Sequence, residues 1–209
     1  MPGDKSYGCC ACIGASGVAV MPLSSVMLAR DGVRINHLMN GKVTLDGLTL
    51  NVKTEYPYGE RAEITVETAI SEELAIGIRV PTFTDGVTVN GEAATPDALG
   101  YHTIDKVWQT GDVIEVVIPK KITVTELNGK LALTSGIIVL ALDERCQDIN
   151  VKLNEEIVKV EEFTPDFAAR EAYLITFRGG VSARFVDFAS AGADWANAKP
   201  NMTVWIDKE

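Results

Sequence analysis

The stretch from Leu74 to Pro119 constrains this chain most, because it reads as short strands joined by turns that admit few alternatives. Leu74, Ile76, Ile78 and Val80 occupy alternate positions, and Val113 and Val117 flank Glu115 in the same rhythm. Strand side chains repeat with period two, so this spacing sends one face inward. Asn90-Gly91 supplies the two positive-φ residues of a tight hairpin. Thr110-Gly111-Asp112 forms a further turn, and Pro119 ends the last strand because it has no N–H to give to a ladder. The segment is a meander on which the rest of the chain packs.

The flanking sequence repeats the pattern. Asp46-Gly47 sits between two alternating runs, Ala62 to Ile70 alternates again, and Asn128-Gly129 follows the strand-like Ile122–Leu127. Ile137 to Leu142 is apolar without a break, as expected of a strand buried on both faces. Short runs around Ile149–Leu153, Ile157–Val160, Tyr173–Phe177, Ala183–Phe188 and Met202–Ile206 continue at sandwich spacing, with Gly179-Gly180 as a hairpin. The fold class is therefore mainly β, one or two antiparallel β-sandwich domains with a short α-like N-terminal segment. The charged run Asp143–Asp148 suggests a boundary, giving segments 1–30, 31–143 and 144–209.

The residues from Ser6 to Ala29 carry no charge, yet Gly8, Gly14, Gly17 and Pro22 interrupt them. They read as neither a signal peptide nor a membrane span. The expectation is a Cys/Gly/Ala loop from Tyr7 to Gly17 and a packed helix from Val18 to Ala29, limited by Pro22. A formal net charge of −10 argues against nucleic acid or an anionic membrane as partner.

Three of four cysteines crowd at Cys9, Cys10 and Cys12, and Cys146 stands apart. This spacing suits a metal or a reactive thiol better than a disulfide framework, and it points to a reducing, cytoplasmic setting. Three ligands within four residues need a fourth, for which His37 or Cys146 are candidates. The favoured reading is a metal-free loop, packed or mobile, with a metal site as the alternative. His102 reads as a sheet-surface histidine. Trp108, Trp195 and Trp205 read as core residues, with sugar stacking as the alternative. The small residues Ala189 to Gly192, between Asp187 and Asp194, read as a close turn.

The order Cys9-Cys10, Tyr56-Pro57, Arg79-Val80-Pro81, Val89-Asn90-Gly91, Gly100-Tyr101, Trp108 with Gly111-Asp112, Gly136 to Ala141, and Asp187 to Gly192 resembles a known family. It is similar to the C-terminal part of glycoside hydrolase family 127, the β-L-arabinofuranosidases, and their DUF1680 relatives. The resemblance implies an (α/α)6 catalytic barrel followed by β-sandwiches, with residues 1–30 as the end of that barrel. It implies Cys9 as nucleophile, and Cys9 and Cys10 as zinc ligands. It places the remaining ligands, a glutamate and a further cysteine, and the acid/base glutamate upstream in the barrel. Met1 stands only a few residues before Cys9, so the expectation is a vestigial Cys9, zinc absent or incomplete, and no hydrolysis by this chain alone. A retaining glycosidase needs a nucleophile and an acid about 5 Å apart, and a thiolate needs a nearby metal or cation, for which Lys5 is the neighbouring candidate.

The expected role is structural, interdomain or dimer-forming, with Ile13 to Leu28 as the apolar patch facing a separate catalytic barrel or a second copy. Plant-type arabinose-containing glycans are the ligands the family implies. Two rival readings stand beside it: a free-standing carbohydrate-binding sandwich, and a thiolate/zinc glycosidase completed by a partner chain. The chain departs from the family pattern at Phe83, Lys106, Ile137 and Phe188, all conservative for packing, and Cys12 has no place in that pattern.

Overall fold

The computed structural model describes residues 8–192 and 200–209, with side chains from Cys12 onward. Among these the chain is mainly β, with one helix, and it divides into two compact units at Pro119 and Lys120.

The first unit opens with α1 (Gly8–Ser25), followed by β1 (Val26–Ala29) and β2 (Gly32–Ile35). The helix thus starts earlier and stops earlier than the sequence suggests. Its stop has a local cause. The Asn36 backbone N–H donates to Ser25 O at 2.7 Å, and Asn36 Nδ2 donates to Ser24 O at 2.9 Å, so the last helical carbonyls are taken from outside. Val26 is buried at the start of β1, which pairs antiparallel with β2 across the turn Arg30-Asp31.

Two hairpins follow where the sequence demands them. β3 (Gly41–Leu45) and β4 (Leu48–Thr54) turn at Asp46-Gly47, with both residues at positive φ. β5 (Arg61–Thr68) and β6 (Glu73–Arg79) come next, and β7 (Thr88–Val89) and β8 (Glu92–Ala93) turn at Asn90-Gly91. β9 (Tyr101–Val107) and β10 (Val113–Val117) complete the unit. The strands form two sheets, in the orders β1-β2-β6-β9 and β3-β4-β5-β10-β7-β8. Val33, Ile35, Ile76 and Ile78 of the first share one core with Leu50, Val52, Ile64, Val66, Ile114 and Val116 of the second, which makes a sandwich.

The pairing of β2 with β6 is parallel, bringing Gly32 opposite Ala75. A Cβ on Gly32 would run into the Ala75 carbonyl, so only glycine lets these strands approach.

The second unit holds β11 (Ile122–Leu127), β12 (Lys130–Ser135), β13 (Ile138–Asp143), β14 (Lys152–Leu153), β15 (Ile157–Glu162), β16 (Ala172–Phe177), β17 (Ser182–Asp187), β18 (Met202–Thr203) and β19 (Ile206–Lys208). Seven of them run in the order β14-β19-β12-β13-β17-β16-β15, with β11 also on β12 and β18 also on β13. The sheet curls, so that Leu131, Leu140, Leu142, Leu153, Phe177, Phe185 and Ile206 from separated strands meet in one core. Ala141 and Val186 face the opposite side, where Phe163, Phe167 and Met202 cover them. Leu140 and Leu142 on one face and Ala141 on the other explain the unbroken apolar run. Since β13 pairs with β17, the run ending at Asp143 lies inside the second unit, which begins at Lys120 rather than near residue 144.

Candidate functional site

Helix α1 contains no charged residue. Residues 12–23 are all exposed, with Ile13 and Val18 each at 72% and Leu23 at 79%. At 100° per residue, Ile13, Val18, Val20, Met21 and Leu23 point in every direction around the axis. A helix apolar on all sides is built for burial, since a surface helix of a globular protein keeps one polar face. The exposed Met27 and Leu28 of β1 extend the patch. The helix keeps its own polar groups inside itself: Ser16 Oγ donates to Cys12 O at 2.8 Å, Ser24 Oγ to Val20 O at 3.1 Å, and Ser25 Oγ to Pro22 O at 2.7 Å. These back-bonds spare the apolar surface any polar demand.

The base of the helix is held by a polar relay through the first sheet. Asn36, which grips Ser24 and Ser25, accepts at Oδ1 from the Tyr101 hydroxyl. That hydroxyl accepts in turn from Arg79 Nη2, and Arg79 Nη1 donates to Leu99 O at 3.3 Å. The Arg79 guanidinium carbon lies 4.3 Å from the Tyr101 ring centroid, and that of Arg34 lies 5.9 Å away. Two cations near one phenol ring fix its plane. Gly77 leaves room for Arg34, because a Cβ there would meet Arg34 Cδ at 2.6 Å. Arg79 and Tyr101, from two of the runs in the family pattern, are thus supports of the helix.

Cys9 and Cys10 lie in the first turn of α1, and their side chains fall outside the described residues. Cys12 is exposed and free. His37 is tied by its backbone N–H to Ser25 O, at the far end of the helix. Fifteen residues of helix separate Ser25 from Cys10, about 22 Å at 1.5 Å per residue, so His37 is not a ligand beside the cysteines. Among the described residues no group of three or more His, Cys, Asp or Glu side chains is arranged to hold a metal. Among the described residues no helix is long and apolar enough to cross a membrane.

Cys146 belongs to the second unit, where burial pushes its thiol up and the Asp143 charge adds to the effect. Next to it is a buried ion pair that sequence reading misses. Asp143, fully buried, accepts from Arg145 Nε at 2.9 Å and Nη2 at 2.6 Å, and from the Gly192 N–H at 2.8 Å. Arg145 also stacks on Phe167, 3.5 Å from its centroid. Burial would raise the Asp143 carboxyl, but the bonds from Arg145 and from the Gly192 and Arg145 amides outweigh it and hold it below the usual aspartate value. Asp187, also buried, accepts from the Arg170 and Ser190 amides. The two aspartates clamp the turn Ala189–Gly192, in keeping with the close turn read there. Asp194 and Trp195 lie outside the described residues.

Trp108 is buried and its Nε1 donates to Leu74 O at 2.8 Å, as a core residue should. Trp205 is not in the core: it is 42% exposed. His102 is half-buried on β9, and its Nδ1 accepts from the Thr95 N–H at 3.1 Å, so one ring nitrogen is engaged in the sheet.

Comparison with known proteins agrees with this arrangement. The family description "Beta-L-arabinofuranosidase, GH127 middle domain" matches residues 32–120. The crystal structure of a GH127 beta-L-arabinofuranosidase from Geobacillus stearothermophilus T6 superposes with a TM-score of 0.76 at 21% identity, over 97% of this chain and 38% of that one. A GH127 beta-arabinofuranosidase gives 0.73 at 20% identity over 97% and 39%, and a structure described as a glycoside hydrolase gives 0.73 at 17% over 97% and 40%. This chain therefore spans about two fifths of the length of the solved proteins it matches. No curated protein sequence matches it. The first sandwich, from β2 through β10, is the stretch that matches the GH127 middle domain, and the chain shares the fold of these solved proteins.

Proposed function

We propose that this chain is the β-rich module of a β-L-arabinofuranosidase-like assembly, and that α1 with β1 seats it against an (α/α)6 catalytic barrel. The observation that carries the reading is the exposed helix, apolar on every side and anchored at its base by Asn36, Tyr101 and Arg79. Burying one such aliphatic side chain contributes about 1.5–3 kcal/mol, so the helix has a strong drive to be covered. The occupant is argued from size: the solved relatives are longer by some three fifths of their length, which leaves a large partner body to cover the patch. The module supports and orients that body and does not itself cut the glycosidic bond. Arabinose-containing glycans are then the substrates of the whole assembly, and the free thiols Cys12 and Cys146 suit a cytoplasmic setting.

A second reading keeps Cys9 as a thiolate nucleophile and Cys9 with Cys10 as zinc ligands, the missing ligands and acid coming from the barrel. It rests on the paired cysteines standing in the first turn of the same helix that would enter the barrel.

Sedimentation across a concentration series tests the docking reading. The chain should self-associate or take up added barrel through α1, and Ile13→Glu with Leu23→Glu should abolish both. A clean monomer with α1 amides protected from exchange overturns it. Hydrolysis of an aryl β-L-arabinofuranoside by the chain with a barrel, lost in Cys9→Ala, favours the second reading.

A further inference from the structure

The second unit carries a groove that the docking reading does not use. Its volume is about 340 Å³, and Lys130, Asn150, Lys152, Thr203, Trp205 and Asp207 line it. Ile206 points into the core at 2% exposure, so its neighbours Trp205 and Asp207 lie on the outer face. Trp205 there is 42% exposed, against 4% for Trp108, so the core of its own unit does not account for it.

The polar groups around the tryptophan are already held in place. Lys130 Nζ pairs with Asp207 Oδ1 at 2.5 Å. Asn150 Nδ2 donates to Asp148 Oδ1 at 3.0 Å, and Thr203 Oγ1 donates to the Trp205 carbonyl at 2.9 Å. Asp207 is kept ionised by Lys130 first and by Lys152 as well. A broad aromatic surface beside an amide, a carboxylate, a hydroxyl and two ammonium groups matches one ligand chemistry. A sugar ring has an apolar C–H face that an indole can cover and a rim of hydroxyls that donate and accept. With two lysines and one carboxylate lining it, the groove has no strong field of either sign, and its volume falls at the small end of ligand sites, roughly 300–1,000 Å³.

We infer that this groove is a carbohydrate subsite that binds one or two rings of a neutral oligosaccharide, with Trp205 as the stacking surface and Asn150, Asp207 and Lys152 as the hydroxyl partners. It rests on the groove alone and not on the docking of α1, so either can fail without the other.

The test is a titration of the chain with L-arabinobiose and, separately, cellobiose, followed by the indole N–H signals in a ¹H–¹⁵N spectrum, assigned by single Trp→Phe variants. The Trp205 signal should move and saturate with at least one disaccharide while that of Trp108 stays fixed. Trp205→Ala should weaken binding about tenfold or more, the loss typical of an aromatic anchor, and Asn150→Ala should weaken it with an unchanged amide spectrum. Should Trp205→Ala fail to fold, Asn150→Ala and Asp207→Asn decide the matter. The inference is overturned if neither sugar moves the Trp205 signal up to the solubility limit, or if the folded variants bind as well as the parent chain.

Discussion

The Tyr101 hydroxyl donates to Asn36 Oδ1 at 2.5 Å across 65 residues of sequence, and Asn36 in turn holds the last carbonyls of α1. This bond couples the strand β9 to the point where the helix leaves the sandwich. Tyr101→Phe keeps the ring under Arg34 and Arg79 but removes the hydroxyl, leaving Arg79 Nη2 and Asn36 Oδ1 each short of a partner. The expected cost is about 1–3 kcal/mol, the penalty for stranding partly buried polar groups. Hydrogen exchange should quicken at Asn36 and His37, whose amides bond Ser25 O. Unchanged exchange there would show that Asn36 holds the helix without help from Tyr101.

Gly32 gives a second test of how β1 and β2 are seated. Its φ of 151° and the Ala75 carbonyl at its back both exclude a side chain. Gly32→Ala should destabilise the first unit by more than about 2 kcal/mol, the mark of strain added to a backbone clash. Gly129→Ala, at φ 72° with open space around it, should cost less, about 1–2 kcal/mol from the left-handed backbone alone. Denaturant midpoints of the two variants compare the effects; equal losses would mean that β2 and β6 can part without penalty.

The three Asx-Gly hairpins were legible because both turn residues adopt positive φ, a demand that few residue types meet. The sandwich core of the first unit followed from alternation in β4, β5 and β6; in β10 the phase is the reverse of that read from Val113 and Val117, because Ile114 and Val116 are buried and Val113 is exposed. What stayed hidden was non-local. Nothing near Gly32 announces a parallel partner at Ala75, 43 positions on, and nothing near Gly8 to Gly17 favours helix over loop. The exposed patch from Ile13 to Leu28 was readable as an uncharged run, but its support was not, because Asn36, Arg79 and Tyr101 are brought together by sheet pairing alone. Asp143 and Gly192, the latter in its close turn, are also hydrogen-bond partners, which no local signal announces.

That partnership makes stability sensitive to acid. Asp143 has its folded value lowered, so its contribution is fully present above the unfolded aspartate value, about 3.9, and is lost as pH falls through the depressed folded value. Asp143→Asn should cost about 3 kcal/mol near neutrality, toward the low end for breaking a buried pair because Arg145 keeps some contact with solvent. The gap between variant and parent should narrow below about pH 4. Denaturant unfolding at several pH values measures it, and a gap that stays constant down to pH 2 would place the stabilisation elsewhere.

The same aspartate bears on Cys146. Burial, and after it the Asp143 charge, push this thiol up, with Arg145 and Arg184 pulling the other way. The thiolate is the reacting form, so a raised value means slow alkylation. In the folded chain near pH 8, iodoacetamide should label exposed Cys12 well before half-buried Cys146. Asp143→Asn removes one raising charge and frees Arg145 to act on the thiol, so it should speed labelling of Cys146 while leaving Cys12 unchanged. Peptide mapping by mass spectrometry separates the two sites. If Cys146 is modified as fast as Cys12 in the folded parent chain, neither its burial nor Asp143 protects it. If both accelerate together in the variant, the change reports opening of the chain and not the local charge.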